Sequence, residues 1–185
     1  MDWLSAYHGV EARTYDELWA WSIGDLEGFW SSIAEYFDVR FHAPPRAALA
    51  AREMPGASWF PGATLSYPEH IFAGRGADAV AIRHASELRP LAALTWAQLR
   101  ALTARIQDGL RTLGVGRGDR VAAYMPNLPE TVAAFLATAG LGAVWSSCSP
   151  DFGARSVIDR FAQIEPTVLL AVDGYRYGGR DFDRT

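Results

Sequence analysis

Apolar residues recur three and four positions apart at Leu99, Leu102, Ile106, Leu110 and Leu113, a spacing that gathers them on one face of an α-helix. Thr95 stands just ahead of this stripe, with Gln98 three residues on, so the segment has the form of a capping box that predicts a helix start at Trp96. Gly114 suits the left-handed residue that ends a helix. Beyond it, short apolar runs at 121–125, 143–147 and 167–172 alternate with helical patterns over about 128–141 and 154–164. Asn127, with Glu130 at the third position, is expected to cap the first of these helices and Gly142 to end it; Pro166 stops the second at Glu165. The order is β-α-β-α-β. Strands buried on both faces and joined by crossover helices imply a doubly wound, mainly parallel sheet with right-handed connections. A strand over 79–83, able to pair with the run 91–94 as a hairpin, precedes the capped helix.

The first 76 residues follow a different pattern. Thr14 and Glu17 form a second capping box, predicting a short helix from Tyr15 to about Ser22. Asp25 is expected to cap a helix over 26–37, whose stripe is Leu26, Phe29, Trp30, Ile33 and Phe37. Trp19, Trp21, Tyr36 and Phe41 add more ring area than so short a segment can bury by itself. Residues 43–66 contain Pro44, Pro45, Pro55 and Pro61, two of them followed by glycine, and read as an irregular connection. Ser66 and Glu69 suggest a further capping box before a turn or two of helix ending at Phe72. Gly74-Arg75-Gly76 marks the expected boundary, giving a helical, aromatic extension over 1–76 and an α/β part over 77–185.

Composition narrows the chemistry. All 17 basic residues of the 185 are arginine. Schiff-base chemistry, a lysine general base and a P-loop lysine on a phosphate therefore have no residue on this chain. Half of the residues are hydrophobic and the net charge is -4, which suits a packed core and disfavours nucleic acid or an anionic membrane as partner. The apolar stretch 128–147 contains proline, glutamate and glycines, so no transmembrane span is expected. A single cysteine, Cys148, excludes an internal disulfide and suits a cytoplasmic location. The four histidines are dispersed without metal-ligand spacing, and no metal site is expected.

In an open α/β sheet, ligands bind beyond the carboxyl ends of the strands. That rule selects Pro126-Asn127, the segment Cys148–Asp151 and the segment Asp173–Arg180. The last is expected to be a polar loop in which glycines admit close approach, Arg176 and Arg180 offer forks for phosphate, and a tyrosine can stack on a base. An ordinary solvated connector is the competing reading. Cys148 lacks a histidine nearby in sequence, and no Gly-x-Ser-x-Gly elbow surrounds Ser146, Ser147 and Ser149, so no catalytic residue is assigned. The glycines of 114–118 follow a helix and precede a strand, the reverse of a dinucleotide fingerprint.

The run Gly116-Arg117-Gly118-Asp119-Arg120-Val121-Ala122-Ala123-Tyr124-Met125-Pro126-Asn127-Leu128-Pro129-Glu130, followed by Ala139-Gly140-Leu141-Gly142-Ala143-Val144-Trp145, resembles the AMP-forming acyl-CoA synthetases of the adenylate-forming superfamily. Tyr15–Trp19, Phe29-Trp30 and Trp59–Ala63 are similar to the amino-terminal extension of the acetyl- and acetoacetyl-CoA synthetase branch. Trp145–Gly153 resembles the acetoacetyl version of its region, where acetyl-CoA synthetases have a glycine-rich, phenylalanine-containing stretch. The resemblance implies a partial adenylate-forming domain, and a ligase that uses ATP, Mg2+ and CoA to convert acetoacetate first to an acyl-adenylate and then to a thioester. The family's phosphate loop with its lysine, its ribose-binding aspartate and its catalytic lysine have no counterpart on this chain. An amino-terminal segment, inactive alone and completed by the remainder of the adenylation domain, is therefore expected. By the same resemblance, Tyr177, Gly178, Gly179 and Arg180, with Arg176 next, approach the nucleotide end of CoA, and Ser146 and Ser147 lie beside its path. A segment specific for acetate or propionate, or a free-standing flavodoxin-like module that binds a nucleotide or a partner, remains open at this point.

Overall fold

A computed structural model describes residues 1–184. The chain forms two compact units, Met1–Ser66 and the residues from Tyr67 on.

The first unit opens with a helix the sequence pattern does not show, α1 (Asp2–His8). Trp3 lies edge-on to Tyr36, with ring centroids 5.1 Å apart. α2 (Tyr15–Gly24) begins at the expected capping box, with the Glu17 backbone N–H donating to Thr14 Oγ1 and the Glu17 carboxylate accepting from Thr14 N–H. α3 (Leu26–Tyr36) is capped by Asp25, which accepts from Gly28 N–H. Trp21, Phe29, Trp30 and Trp59 form a chain of edge-on ring contacts. This chain leaves Trp19, Trp30 and Phe37 exposed, in line with the excess of ring area in the sequence. The proline-rich stretch is more ordered than expected. β1 (Leu49–Ala51) and β2 (Ser58–Trp59) pair antiparallel, and Ala43 bridges to Thr64.

The second unit starts with α4 (Tyr67–Phe72), then β3 (Val80–His84) and β4 (Ala92–Thr95), an antiparallel hairpin as anticipated. α5 (Trp96–Thr112) starts at the predicted capping box, and Gly114 takes φ 83° after it. The alternation that follows is β5 (Arg120–Tyr124), α6 (Pro129–Gly140), β6 (Val144–Cys148), α7 (Ala154–Ile164) and β7 (Val168–Ala171). The strands form a parallel sheet in the order β6-β5-β7. Side chains alternate across a strand, and the central strand β5 uses both faces. Val121 packs with Leu110 of α5 and Ala137 of α6, whereas Ala122 packs with Val157 and Phe161 of α7. Helices therefore cover both faces, as a doubly wound sheet requires.

Two expectations are corrected. α6 is capped by Leu128, not Asn127. The residue before a proline is pushed into extended geometry, and Leu128 shows it, at φ -114° and ψ 156°, so the helix begins at Pro129. The segment 173–180 is a hairpin rather than a loop. β8 (Gly174–Tyr177) and β9 (Arg180–Asp183) pair antiparallel around Gly178-Gly179, whose φ values are 60° and 73°. Two adjacent left-handed residues make the turn that matches strand twist, and glycine adopts that conformation without strain. Among the described residues no helix is long and apolar enough to cross a membrane.

Candidate functional site

Beyond the carboxyl ends of β5, β6 and β7 lies a cleft of about 840 Å³. Its floor is made by residues 125–128 after β5, 147–151 at the end of β6 and 172–174 after β7. The outer walls are the β3–β4 connection, through Ser86, Leu88 and Arg89, and the β8–β9 hairpin, through Tyr175, Arg176 and Tyr177. The strand-exit rule thus points to a cavity in this unit.

The floor is held by backbone carbonyls. The Tyr124 hydroxyl lies 2.8 Å from the Pro150 carbonyl oxygen and 2.7 Å from that of Phe152, and Arg184 Nε donates to the Pro150 oxygen at 2.8 Å. Arg184 also stacks over Tyr175 and Phe182, fastening the base of the hairpin. Thr131 Oγ1 donates to the Pro126 oxygen across the start of α6. The Ser149 hydroxyl donates to the Asp151 carboxylate. That bond and the residue's own backbone N–H hold the Asp151 carboxyl below its ordinary value.

The anticipated site residues do not all meet in the cleft. Ser147, Arg176 and Tyr177 line it; Ser146, Gly178, Gly179 and Arg180 do not. Ser146 and Ser147 are consecutive on β6, opposite Ala122 and Ala123, so they point to opposite faces of the sheet. Arg176 is engaged within the hairpin. Its Nε and a terminal nitrogen donate to the two Asp181 oxygens at 2.6 and 2.8 Å, which raises the Arg176 pKa and lowers that of Asp181. Arg180, at the start of β9, is exposed, and among the described residues its guanidinium has no hydrogen bond or ion pair. Of the two arginines, it alone presents an uncommitted fork to an anion. Tyr177, its partner across the hairpin, is 74 % exposed.

Sequence reasoning missed the other wall. Arg89 donates from one nitrogen to both Glu130 oxygens, at 2.8 and 3.0 Å, tying the β3–β4 connection to α6. Burial pushes the Glu130 carboxyl up, but its own backbone N–H and Arg89 outweigh that and hold it low. Glu87, beside Arg89, accepts from the backbone N–H groups of Gly178 and Gly179 at 2.6 and 2.8 Å. The signal for a turn was present in Ser86, whose hydroxyl accepts from the N–H groups of Leu88 and Arg89, but nothing in the sequence tells which distant backbone the turn meets.

Cys148 is buried at the floor, and none of the four histidines lines the cleft, so no nucleophile and base stand together there. Among the described residues no group of three or more His, Cys, Asp or Glu is placed to hold a metal ion. The arrangement is that of a cleft with a fixed floor and two tethered walls.

Comparison with known proteins identifies the family. The family model described as AMP-binding enzyme matches residues 70–183, and that described as acetyl-coenzyme A synthetase N-terminus matches residues 15–70. Acetoacetyl-coenzyme A synthetase of Rhizobium meliloti is 42% identical over 184 residues, which are 99% of this chain and 28% of that protein. Malonamoyl-CoA synthetase of Penicillium aethiopicum is 34% identical over 94% of this chain and 25% of its own length. The solved structure of acetoacetyl-CoA synthetase from Streptomyces lividans superposes with a TM-score of 0.92 at 51% identity, over 98% of this chain and 29% of that one. The chain thus spans between a quarter and a third of the length of these relatives. It belongs to the family of AMP-binding enzymes.

Proposed function

We propose that this chain supplies the amino-terminal part of an ATP-dependent acetoacetate:CoA ligase that works in the cytoplasm, with an extension over 1–76 and the opening βα units of the adenylation domain from 77 on. The observation that carries the reading is the 51% identity and 0.92 TM-score to a solved acetoacetyl-CoA synthetase across nearly the whole chain. The Trp145–Gly153 segment supports the acyl group. The malonamoyl relative fits the same class, since malonamate and acetoacetate are both small acids with a second carbonyl at the third carbon. Among the described residues β6 and β7 each pair on one edge only, with β5 between them, which suits a sheet continued by the remainder of the adenylation domain.

In such a ligase the substrate carboxylate attacks the α-phosphate of ATP, releasing pyrophosphate, and the CoA thiol then displaces AMP from the acyl-adenylate. A divalent metal offsets phosphate charge in that chemistry; this chain's described residues offer no cluster to hold one. The residues present do fit a phosphate of CoA. The free Arg180 guanidinium supplies a planar donor pair, and the exposed Tyr177 ring a surface for stacking. Ser147, on the cleft floor, is the second candidate contact to CoA; Ser146 points to the other face of the sheet and would lie beside that path only through the backbone.

The 185-residue chain by itself is expected to give no acetoacetate-dependent release of pyrophosphate from ATP; robust turnover by the pure chain would sink the claim that it is silent alone. In the complete ligase, Arg180→Ala should raise KM for CoA by about threefold to tenfold, the effect of one charge-assisted contact at an exposed site. Adenylate formation, followed by pyrophosphate exchange, should persist. An unchanged KM would remove Arg180 from the CoA site.

A further inference from the structure

The turn of the β8–β9 hairpin does not project freely into solvent. Both backbone N–H groups of its glycine pair donate to one side chain, the Glu87 carboxylate, from 91 and 92 residues away in sequence. A carboxylate accepting two backbone N–H bonds makes short, charge-assisted contacts, and the 2.6 and 2.8 Å separations are of that kind. Neither glycine is needed for space, because a Cβ at either would meet nothing within 4 Å. What the turn requires is the left-handed backbone, and that backbone aims both donors at Glu87.

Glu87 is itself held. Ser86 and Arg89 close a tight turn through mutual backbone hydrogen bonds of 2.9 and 3.3 Å, which displays Glu87 at its crest. Arg89 anchors the turn to Glu130 on α6. A continuous path therefore runs from a helix packed on the sheet, through Arg89 and Glu87, to the hairpin tip. With Arg184 fastening the hairpin base at Pro150, the hairpin is fixed at both ends.

We propose that Glu87 is a positioning residue, a clasp that holds the β8–β9 hairpin against the β3–β4 connection, closes the outer side of the cleft and sets where Arg180 stands. The clasp itself follows from geometry alone; its consequence for CoA rests on the function proposed above. Without it the hairpin remains attached at its base but its tip swings, and the cleft loses one wall.

The test compares the 185-residue chain with its Glu87→Ala and Glu87→Gln variants by residue-resolved amide hydrogen exchange. Glu87→Ala should accelerate exchange at Gly178 and Gly179 by about tenfold, the scale for losing a hydrogen bond to a charged group. Ala122 and Ala123 in the central strand should be unaffected. Glu87→Gln keeps the length but only one acceptor oxygen, so it should release one glycine amide more than the other. Unchanged exchange at both glycines in Glu87→Ala would overturn the clasp. Titration of the same proteins with CoA separates the two claims. Weaker binding by Glu87→Ala, with partial recovery in Glu87→Gln, supports positioning of the phosphate contact. Faster exchange with unaltered CoA affinity would leave the clasp standing and count against the hairpin as a CoA contact.

Discussion

Leu99 and Leu113 belong to one stripe in the sequence, yet Leu99 is 2 % exposed and Leu113 is 63 % exposed. Leu113 is the residue after the last turn of α5 and faces away from the cluster of Phe72, Ala133 and Leu136 that receives Leu99. Leu99→Ala should therefore cost about 2–5 kcal/mol of unfolding free energy, whereas Leu113→Ala should stay within about 0.5 kcal/mol; urea titration of the two variants checks the contrast. Charged residues were harder to read. Arg176 and Arg180 look alike in sequence, and only the hairpin register, which sets Arg176 opposite Asp181, shows that one is neutralised and the other free. A signal for that hairpin was available, because two glycines between runs of alternating character are a two-residue hairpin turn. Arg120 carried no signal at all. Its guanidinium donates to the carbonyl oxygens of Ile164 and Glu165, 44 and 45 residues on, capping the end of α7 where Glu165 takes φ 46°.

Helices with a chemical cap in the sequence were legible to within a residue or two. Thr14 and Thr95 each cap as anticipated because the hydroxyl and the third residue's side chain satisfy free N–H groups locally, without help from the rest of the fold. Thr95→Ala should cost about 1 kcal/mol, read by thermal or urea unfolding. α6 was misplaced by one residue because a local rule, extended geometry before Pro129, overrides the asparagine cap. α1 went unseen because its seven residues are too few for a periodic face. The cap of α2 also has a pH dependence. The backbone N–H groups of Arg13 and Thr14 hold the Glu17 carboxyl below its ordinary value. A group depressed in the folded state stabilises it above the unfolded pKa, and this contribution fades as pH falls through the folded value. Acidification below the ordinary carboxylate range should therefore loosen the start of α2, seen as faster amide exchange at Arg13 and Thr14 while neutral pH protects them. Exchange that slows on acidification, after correction for the intrinsic rate, would contradict the assignment.

At the scale of the whole molecule, the doubly wound sheet was legible because its strands are short apolar runs separated by helix-length intervals, a pattern that survives without knowledge of any contact. The cleft was legible only in its floor, since strand exits follow from strand order. Its walls depend on Glu87 meeting Gly178 and on Arg89 meeting Glu130, pairings between remote segments that no local pattern encodes. The sheet also distinguishes its strands sharply. Ala123 on β5 is fully buried, while Leu169 on the outer strand β7 is 53 % exposed. An aspartate at position 123 would be an uncompensated charge in the interior, costing several kcal/mol, and Ala123→Asp is expected to abolish the cooperative unfolding transition of the chain. Leu169→Asp places the same charge where water reaches it and should shift the urea midpoint little. In the complete ligase proposed above, the face of β7 that carries Leu169 is expected to be covered by further chain, so Leu169→Asp should there reduce soluble yield and acetoacetate-dependent pyrophosphate release together. Equal tolerance of Leu169→Asp in the 185-residue chain and in the complete enzyme would mean that this face of β7 stays open to water in both.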